Sequence, residues 1–312
     1  MSAEETGRGP VLVVGSGFVG SGIARRLAAG GRAVTLASRG RPGRPPEAYG
    51  ARWTSLDATD PVACAGVVAE VRPRAVVLVH GPSDVTWCEA HPAEAAGAHT
   101  AATASFAELP GLERLVMIST DNVFDGGSAR NTETSPTAPA NAYGTAKLRA
   151  EELLLARAVS PATVLRVSLV YGHEPAGGGK WLNFFASCAH RLVRGEPVDA
   201  PDDQWTTPVL VEDVAEVTAL LLRPGGGVPE LLHLGGPERI SRAGWAREIA
   251  RALGAPEELV RPVPRASGRY ASRPENSCLT STRLASVPGM DGVPVRDPAT
   301  AAAALAASFT GG

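Results

Sequence analysis

Lysine is almost missing from this chain. Lys147 and Lys180 are the two lysines among thirty basic residues, so arginine has replaced lysine nearly everywhere. A lysine that persists against such a bias is expected to do something that a planar guanidinium cannot do. The rare lysines are therefore the first residues for which we seek a function.

Other shortages argue against whole classes of protein. The four cysteines are scattered without paired spacing, which indicates neither a disulfide framework nor a zinc site. A net charge of −2 gives no electrostatic case for nucleic acid or a membrane surface. There is no apolar run of membrane-spanning length, and the first residues are polar, unlike a signal peptide. We expect a cytoplasmic protein without a metal that binds neither nucleic acid nor membrane.

Short apolar runs rich in valine alternate with helical patterns through the first half of the chain. This alternation is typical of an α/β fold of the Rossmann type, with a doubly wound parallel sheet. The pattern predicts strands over residues 10–15, 32–38, 74–80, 113–120 and 162–170, with helices between them.

A glycine motif follows the first predicted strand and opens a helix. Gly15, Gly17 and Gly20 form G-x-G-x-x-G, which permits a tight turn and close approach of the backbone to a pyrophosphate. The helix N-terminus stabilises the anion. The motif predicts a dinucleotide cofactor bound by these glycines with Phe18 and Val19, although a glycine turn required only for packing is the alternative.

The end of the second strand indicates which dinucleotide is bound. An NAD-selective site places an acid there to hold the ribose hydroxyls, but this chain reads Ala37-Ser38-Arg39-Gly40. Ser38 and Arg39 suit a 2′-phosphate, so we predict NADPH as the cofactor and keep NADH as a second possibility. Arg39 is alternatively one of many surface arginines.

Beyond Gly172 the pattern becomes irregular. We predict a nucleotide-binding domain over residues 1–172 and a smaller substrate-binding region over 173–312, with elements of about 211–236 returning to the first domain. Within the second region, Ser241 is predicted to cap a helix that stops at Gly254.

Tyr143 and Lys147 lie four residues apart on a predicted helix and so share one face. A nearby ammonium favours the phenolate, so Lys147 is predicted to lower the pKa of Tyr143 and make it a proton donor or acceptor near neutrality. The alternative is an exposed pair on a helix. Ser119 and Thr120 end the fourth strand, where they either bind a substrate carbonyl or cap a turn.

The glycine loop, ISTDNVFDGG, YGTAK and RVSLVYG together resemble the extended short-chain dehydrogenase/reductase superfamily. Within it the chain is most similar to dTDP-4-dehydrorhamnose reductases and related sugar-nucleotide ketoreductases. The segments TDNVFDG, TETSPTAPANAYGTAK, DQWTTPVLVEDVAE and SRPENSCLTSTRL occur in the family's order and cover nearly the full length.

The resemblance implies roles for individual residues. Tyr143 would donate the proton, Lys147 would bind the nicotinamide ribose and tune Tyr143, and Thr120 would orient the substrate carbonyl. The remaining implied cofactor contacts are Asp57, Ala58, His80, Gly81, Pro82, Ser119, Ser168 and Leu169. The implied substrate contacts, each with packing or surface exposure as its alternative, are Trp87, Lys180, Trp181, Asn183, Trp205, Thr206 and Arg273.

The chain departs from the family's pattern at His80, at His99 where asparagine is usual, and at Asn122 where tyrosine is common. His80 and His99 form either a proton relay or a buried, hydrogen-bonded pair, and the second interpretation is preferred. Sugar-nucleotide 4,6-dehydratases use Thr-Asp-Glu, whereas this chain has Asn122 in place of the glutamate. The departures leave the exact substrate open more than the reaction type.

The resemblance implies NADPH-dependent reduction of a nucleotide-linked 4-keto-6-deoxysugar. A sugar-nucleotide epimerase and a non-catalytic NADP-binding regulatory subunit, like the family's methionine adenosyltransferase partner, are the alternatives. The sequence does not identify the sugar, the stereochemistry of the product or the pathway. It is compatible with a homodimer but does not establish the oligomeric state.

Overall fold

The computed structural model describes residues 9–176, 182–266 and 270–310. The strands are, in chain order, β1 (Val11–Val14), β2 (Val34–Ser38), β3 (Arg52–Ser55), β4 (Ala75–Leu78), β5 (Arg114–Thr120), β6 (Ala162–Val167), β7 (Val170–Tyr171), β8 (Val198–Pro201), β9 (Trp205–Thr206), β10 (Val209–Leu210), β11 (Leu231–Leu234), β12 (Ile240–Ser241), β13 (Val260–Val263) and β14 (Asn276–Ser277). The α-helices are α1 (Phe18–Ala29), α2 (Pro61–Val71), α3 (Val85–Ala90), α4 (Pro92–Ala107), α5 (Ala142–Arg157), α6 (Phe184–Val193), α7 (Val211–Leu221), α8 (Arg242–Leu253) and α9 (Pro298–Thr310).

A seven-stranded sheet organises the molecule. Its order is β11-β6-β5-β4-β1-β2-β3, and every neighbouring pair is parallel. Parallel sheets are covered by helices on both faces, which explains why β1, β4 and β5 are continuous apolar runs without alternation. The prediction of a Rossmann-type doubly wound α/β fold is confirmed.

Alternate residues of one strand supply two separate cores. Val11 and Val13 of β1 face a core that α1 and α7 close, with Ile23 as one of its buried side chains. Leu12 and Val14 face the opposite core, which α2, α4 and α5 close. The period-two geometry of a strand therefore fixes which helices lie on each side of the sheet.

Two strands differ from the prediction. β3 has the sequence RWTS and is partly exposed at the sheet edge, so no apolar run reveals it. The predicted strand over 162–170 is interrupted, because β6 ends at Val167 and β7 begins at Val170. The interruption at Ser168 turns the chain at the carboxyl edge of the sheet.

The second region has its own core around Trp245, formed by α6, α8 and α9. Ser241 caps α8 through Gly244 N at 3.0 Å, and Gly254 ends it at φ 66°, as predicted. Strand β11 lies at the edge of the large sheet beside β6. The division into 1–172 and 173–312 stays a prediction. Within the described part of the chain, no helix is long and apolar enough to cross a membrane.

Candidate active site

A cleft of about 1160 Å³ opens at the carboxyl edge of the large sheet, between the ends of β1, β4, β5 and β6. Ligands of open α/β sheets bind at this edge. Of the predicted site residues, the cleft is lined by Gly15, Gly17, Phe18, Val19, His80, Gly81, Pro82, Trp87, Ser119, Thr120, Tyr143, Lys147, Ser168, Leu169, Asn183 and Arg273.

The glycine loop joins β1 to α1 at the floor of the cleft. Gly15 has a φ of 113°, and a Cβ there would lie 2.4 Å from the carbonyl oxygen of Val79. A Cβ on Gly20 would lie 1.9 Å from the carbonyl oxygen of Gly15. Around Gly17, by contrast, a Cβ would meet no described atom within 4 Å. Gly15 and Gly20 are thus required by the fold, whereas Gly17 leaves open space at the helix N-terminus, where a pyrophosphate fits.

The residues predicted to meet the adenosine end lie outside the cleft lining. Ser38 Oγ donates to Gly40 O at 2.8 Å and accepts from Trp53 Nε1 at 3.0 Å. Arg39 is exposed. Hydrogen bonds from the Thr59 hydroxyl and amide lower the pKa of Asp57, and the charge of Arg39 acts in the same direction. Arg39 is therefore close to an ionised carboxylate. The cofactor contacts of Ser38, Arg39, Asp57 and Ala58 stay predictions.

Lys147 is 3% exposed and lies under the cleft on α5. Its Nζ donates to the carbonyl oxygen of Ile118 at 2.7 Å. Burial lowers the pKa of Lys147 to about 8, and the charge of Glu151 one turn along opposes this. Glu151 in turn pairs with Arg166 at 2.7 Å, both side chains being buried, and accepts from Ser119 Oγ. The ammonium is thus held at a fixed point beside the strand end.

Tyr143 is half-buried on the same helix face. Burial is the main cause that raises the pKa of Tyr143, the Asp121 carboxyl raises it further when that carboxyl is ionised, and the Thr120 hydroxyl opposes the rise. The prediction that Lys147 lowers this pKa was wrong for the structure described. Its ammonium is held on the Ile118 carbonyl, and burial of the phenol is the largest influence on its pKa. Tyr143 consequently stays protonated at neutral pH.

Three consecutive residues at the end of β5 form one hydrogen-bonded unit. Thr120 Oγ1 donates to Asp121 Oδ1 at 3.1 Å and accepts from the backbone amide of Asn122 at 3.1 Å. Asn122 Nδ2 donates to Asp121 Oδ1 at 2.8 Å. Thr120 therefore caps the short 3₁₀ turn Asp121–Val123 and also lines the cleft, while its contact with a substrate carbonyl stays a prediction.

The orientation of the Asn122 amide is set by the start of α5. Asn141 Oδ1 accepts from the amide of Gly144 at 2.8 Å, which caps the helix. Its Nδ2 therefore faces Asn122, whose Oδ1 accepts from it at 2.8 Å. This leaves Asn122 Nδ2 directed at Asp121. One amide pair thus connects the N-terminus of the helix that carries Tyr143 to the end of β5.

His80 and His99 are buried neutral imidazoles. Each Nε2 lies 3.1 Å from a backbone carbonyl, that of His99 for His80 and that of Pro82 for His99. Because a carbonyl only accepts, both Nε2 atoms carry the hydrogen. Burial and the charge of Lys147 lower the pKa of His80 to about 3 and that of His99 to about 2. Both features favour the buried, hydrogen-bonded interpretation over a relay that exchanges protons near neutrality.

The predicted substrate residues separate into two groups. Trp87 is 37% exposed at the cleft rim and stacks on His91 with ring centroids 4.5 Å apart. Asn183 caps α6 and donates to Gly172 O at 3.0 Å. Arg273 also lines the cleft. The predicted contacts of these residues with substrate stay predictions.

Trp205 and Thr206 of β9 do not line the cleft. The guanidinium of Arg239 lies 4.0 Å from the Trp205 ring centroid, and Thr206 is buried with its hydroxyl 3.1 Å from Ser168 Oγ. Lys180 and Trp181 lie outside the described residues.

Sequence reasoning missed Asp121 and Arg242, two buried charged residues that line the cleft. Arg242 is the first residue of α8, and its guanidinium lies 4.8 Å from the ring centroid of Phe184. A cation is unfavourable at a helix N-terminus. An arginine directly after the cap Ser241 was therefore a signal that this side chain has another task.

Comparisons with known proteins extend this description. Residues 10–304 match the family model for the RmlD substrate binding domain. The dTDP-4-dehydrorhamnose reductase of Mycobacterium tuberculosis (strain ATCC 25618 / H37Rv) is 39% identical over 180 residues, which cover 55% of this chain and 56% of that protein. The chain thus spans little more than half the length of that relative.

A second relative covers more of the chain. The dTDP-4-dehydrorhamnose reductase of Streptomyces griseus is 30% identical over 280 residues, which are 87% of this chain and 86% of that protein. A solved dTDP-4-dehydrorhamnose reductase of Bacillus anthracis, in complex with NADP, superposes with a TM-score of 0.74 at 21% identity, covering 95% of this chain and 98% of that one. At that identity the likeness shows the fold.

Because the family model matches nearly the whole chain, the protein belongs to the RmlD substrate binding domain family, and the resemblance found in its sequence is confirmed.

Proposed function

We propose that this protein is an NADPH-dependent ketoreductase that acts on a nucleotide-linked 4-keto-6-deoxysugar. The proposal rests on one observation. Thr120, Tyr143 and Lys147 line the same cleft as the glycine loop. The names of the relatives from Mycobacterium tuberculosis and Streptomyces griseus support the substrate class.

The residues present fit a dinucleotide. The space at Gly17 admits a pyrophosphate against the N-terminus of α1. No acid stands at the end of β2, and Arg39 offers a cation for a 2′-phosphate. Bound NADPH supplies the hydride that reduces the ketone. Lys147, a compact ammonium with three donors, is suited to hold ribose hydroxyls while keeping its bond to Ile118 O.

The chain's own residues handle the substrate oxygen and its proton. Tyr143 is protonated at neutral pH because its pKa is raised, so its hydroxyl can deliver a proton to the oxygen of the reduced sugar. Thr120 donates a hydrogen bond to the same oxygen as charge develops there. Protonated Tyr143 is the form that the reduction requires, because the oxygen of the reduced sugar gains a proton.

The test uses purified protein, NADPH and a panel of nucleotide-linked keto sugars, with NADPH absorbance and product analysis as readouts. We expect NADPH oxidation with a 4-keto-6-deoxysugar, and a loss of roughly 10²–10⁴-fold in turnover for Tyr143→Phe with NADPH binding retained. Turnover of Tyr143→Phe near the wild-type rate would show that the acid is another group.

Two other outcomes identify the alternatives. Interconversion of two nucleotide sugars without net NADPH consumption would indicate an epimerase. Absence of oxidation across the panel, together with a co-purifying enzyme, would indicate a regulatory subunit.

A further inference from the structure

The carboxyl of Asp121 lies at the bottom of the cleft, 4% exposed, and the proposed reaction does not use it. Its Oδ1 accepts from Asn122 Nδ2 at 2.8 Å and from Thr120 Oγ1 at 3.1 Å. Its Oδ2 lies 3.0 Å from Ser168 Oγ. The question is where the hydrogens of this cluster are.

Ser168 has one hydroxyl hydrogen and three close neighbours. Its Oγ lies 2.9 Å from the carbonyl oxygen of Ser277, 3.0 Å from Asp121 Oδ2 and 3.1 Å from Thr206 Oγ1. A carbonyl and an ionised carboxylate both only accept, so a single hydrogen cannot serve the two. With Asp121 ionised, one of these contacts would bring two oxygen lone pairs together in a buried site.

A proton on Asp121 Oδ2 removes the conflict. The acid then donates to Ser168 Oγ, Ser168 donates to Ser277 O, and the Thr206 hydroxyl donates to the second lone pair of Ser168. The proton belongs on Oδ2, because the amide orientation set by Asn141 directs Asn122 Nδ2 at Oδ1. All contacts of the cluster are then satisfied.

The surroundings of Asp121 also favour a proton on its carboxyl. Burial is the largest influence and raises the pKa of Asp121 to about 6, against the hydrogen bonds from Ser168, Thr120 and Asn122 and the charge of Arg242. The titratable groups that face it are Tyr143 on α5, Arg242 on α8 and Cys278 after β14. The positive charge of Arg242 lowers the pKa of Asp121, but the effect of burial is larger.

We propose that Asp121 works as a neutral carboxylic acid and controls the hydroxyl of Thr120. An ionised carboxylate is the stronger acceptor and holds the Thr120 hydrogen on Oδ1. The neutral acid accepts more weakly, so Thr120 can turn its hydrogen to the substrate carbonyl. Asp121 is thus a positioning residue that acts through Thr120, and this role rests on the proposed function.

The sign of the pH dependence follows from the protonated form being the active one. We expect kcat/KM for ketone reduction to be highest below the pKa of Asp121 and to fall toward a tenfold loss per pH unit above it. Tyr143 and the two histidines, with pKa values raised and strongly lowered, do not titrate in this range. Lys147, with a pKa of about 8, adds a second step at higher pH.

The kinetic test is Asp121→Asn, which keeps a neutral group of the same shape. Its Nδ2 can donate to Ser168 Oγ and its Oδ1 can accept from Thr120. We expect activity within a few-fold of the wild-type maximum and loss of the step near pH 6. Asp125→Asn, a change at an exposed aspartate on the same segment, should keep the wild-type profile. An inactive Asp121→Asn that binds NADPH normally, or one that retains the step, would overturn the proposal.

A second measurement does not depend on turnover. In protein labelled with ¹³C at aspartate side chains, one carboxyl resonance should titrate near pH 6 and be absent from Asp121→Asn. A resonance that stays ionised down to pH 5 overturns the proposal while leaving the ketoreductase function intact. Titration near pH 6 with no turnover of any keto sugar supports the proton assignment and contradicts the proposed function instead.

Discussion

At the scale of single residues, the candidate site buries two ionisable side chains. Lys147 and Asp121 are almost fully buried, and burial shifts the pKa of each toward neutrality, downward for the lysine and upward for the aspartate. Burying a charge costs stability unless partners compensate. Natural proteins bear such a cost mainly at functional sites, so the burial of Lys147 supports the role proposed for it in a chain otherwise rich in arginine.

Replacement of Lys147 by methionine should reveal that cost. The pKa is about 8 in the folded state and about 10.4 in an unfolded chain, so between these values the unfolded state binds more protons. The difference in the free energy of unfolding between the wild type and Lys147→Met should therefore shift in favour of the wild type between pH 8 and pH 10, by up to about 3 kcal/mol. Urea unfolding series of both proteins measure it, and the comparison cancels the opposite contribution of the cysteine thiols, whose pKa values burial raises. A difference that stays constant from pH 8 to pH 10 would contradict the buried, weakened charge.

Arg39, unlike Lys147, is an exposed cation, and its predicted role is to bind the 2′-phosphate of NADPH. Removal of a guanidinium that pairs with a 2′-phosphate costs roughly 1.5–3 kcal/mol of binding, so Arg39→Ala should weaken NADPH binding about 10- to 100-fold and leave NADH binding nearly unchanged. Titration with each cofactor, followed by fluorescence, measures the ratio. Arg41→Ala, which removes a neighbouring exposed arginine paired with Glu47, is the matched control. An unchanged NADPH/NADH ratio in Arg39→Ala would remove the basis for the cofactor assignment.

At the scale of elements, the glycine loop separates residues needed for folding from residues needed for binding. Gly20 packs against the carbonyl of Gly15, while no described atom surrounds the position that a Gly17 side chain would take. The motif alone does not distinguish them, because all three glycines have the same spacing in the sequence.

Gly17→Ala and Gly20→Ala should therefore behave differently. Gly20→Ala forces a Cβ to 1.9 Å from Gly15 O and should lower the free energy of unfolding by about 2–3 kcal/mol. Gly17→Ala should unfold like the wild type within about 0.5 kcal/mol, yet bind NADPH about tenfold more weakly because its methyl group occupies the pyrophosphate space. Thermal unfolding and cofactor titration of both variants decide this. Equal NADPH affinity in Gly17→Ala and the wild type would place the pyrophosphate elsewhere.

The sequence predicted elements with strong apolar runs and missed what depends on three-dimensional packing. β1, β4 and β5 are visible as runs of valine, leucine and isoleucine, and the caps of α8 follow from Ser241 and Gly254. β3 was invisible because an edge strand needs few apolar residues. The raised pKa of Tyr143 could not be predicted either, because it depends chiefly on how deeply the phenol is buried, while the sequence shows only the spacing to Lys147.

At the scale of the whole molecule, one buried carboxylate joins segments that are far apart in the chain. Glu133 accepts hydrogen bonds from His233 N of β11 at 3.1 Å and from Thr282 N at 2.9 Å, and also from the Ser281 hydroxyl. Burial would raise the pKa of Glu133, but these hydrogen bonds outweigh it and lower the pKa to about 2. The loop before α5, the sheet edge and the C-terminal segment are thus held at a single point.

Glu133→Gln should weaken these hydrogen bonds and lower the free energy of unfolding. A folded-state pKa below the unfolded value of about 4.3 contributes stability that is present above the unfolded pKa and is lost as the pH falls toward 2. We expect the variant to lose about 2–3 kcal/mol at pH 7 and to show a weaker decline between pH 5 and pH 2, measured by chemical unfolding. Glu152→Gln, at an exposed position of α5, is the control. Parallel acid profiles for Glu133→Gln and the wild type would contradict this role.

The end of β2 and the end of β5 differ in how tightly their residues depend on one another. Ser38 bonds to Gly40 O and Trp53 Nε1, and Arg39 is exposed. By contrast, one continuous chain of hydrogen bonds joins Asn141, Asn122, Asp121, Thr120 and Ser168. In evolutionary terms, we expect that cofactor preference changes by single substitutions without loss of fold, while a new reaction requires several coordinated ones. Directed evolution of this scaffold toward NADH should accordingly succeed in few rounds, and libraries at the end of β5 should yield mostly inactive clones unless positions 120, 121, 122, 141 and 168 are varied together.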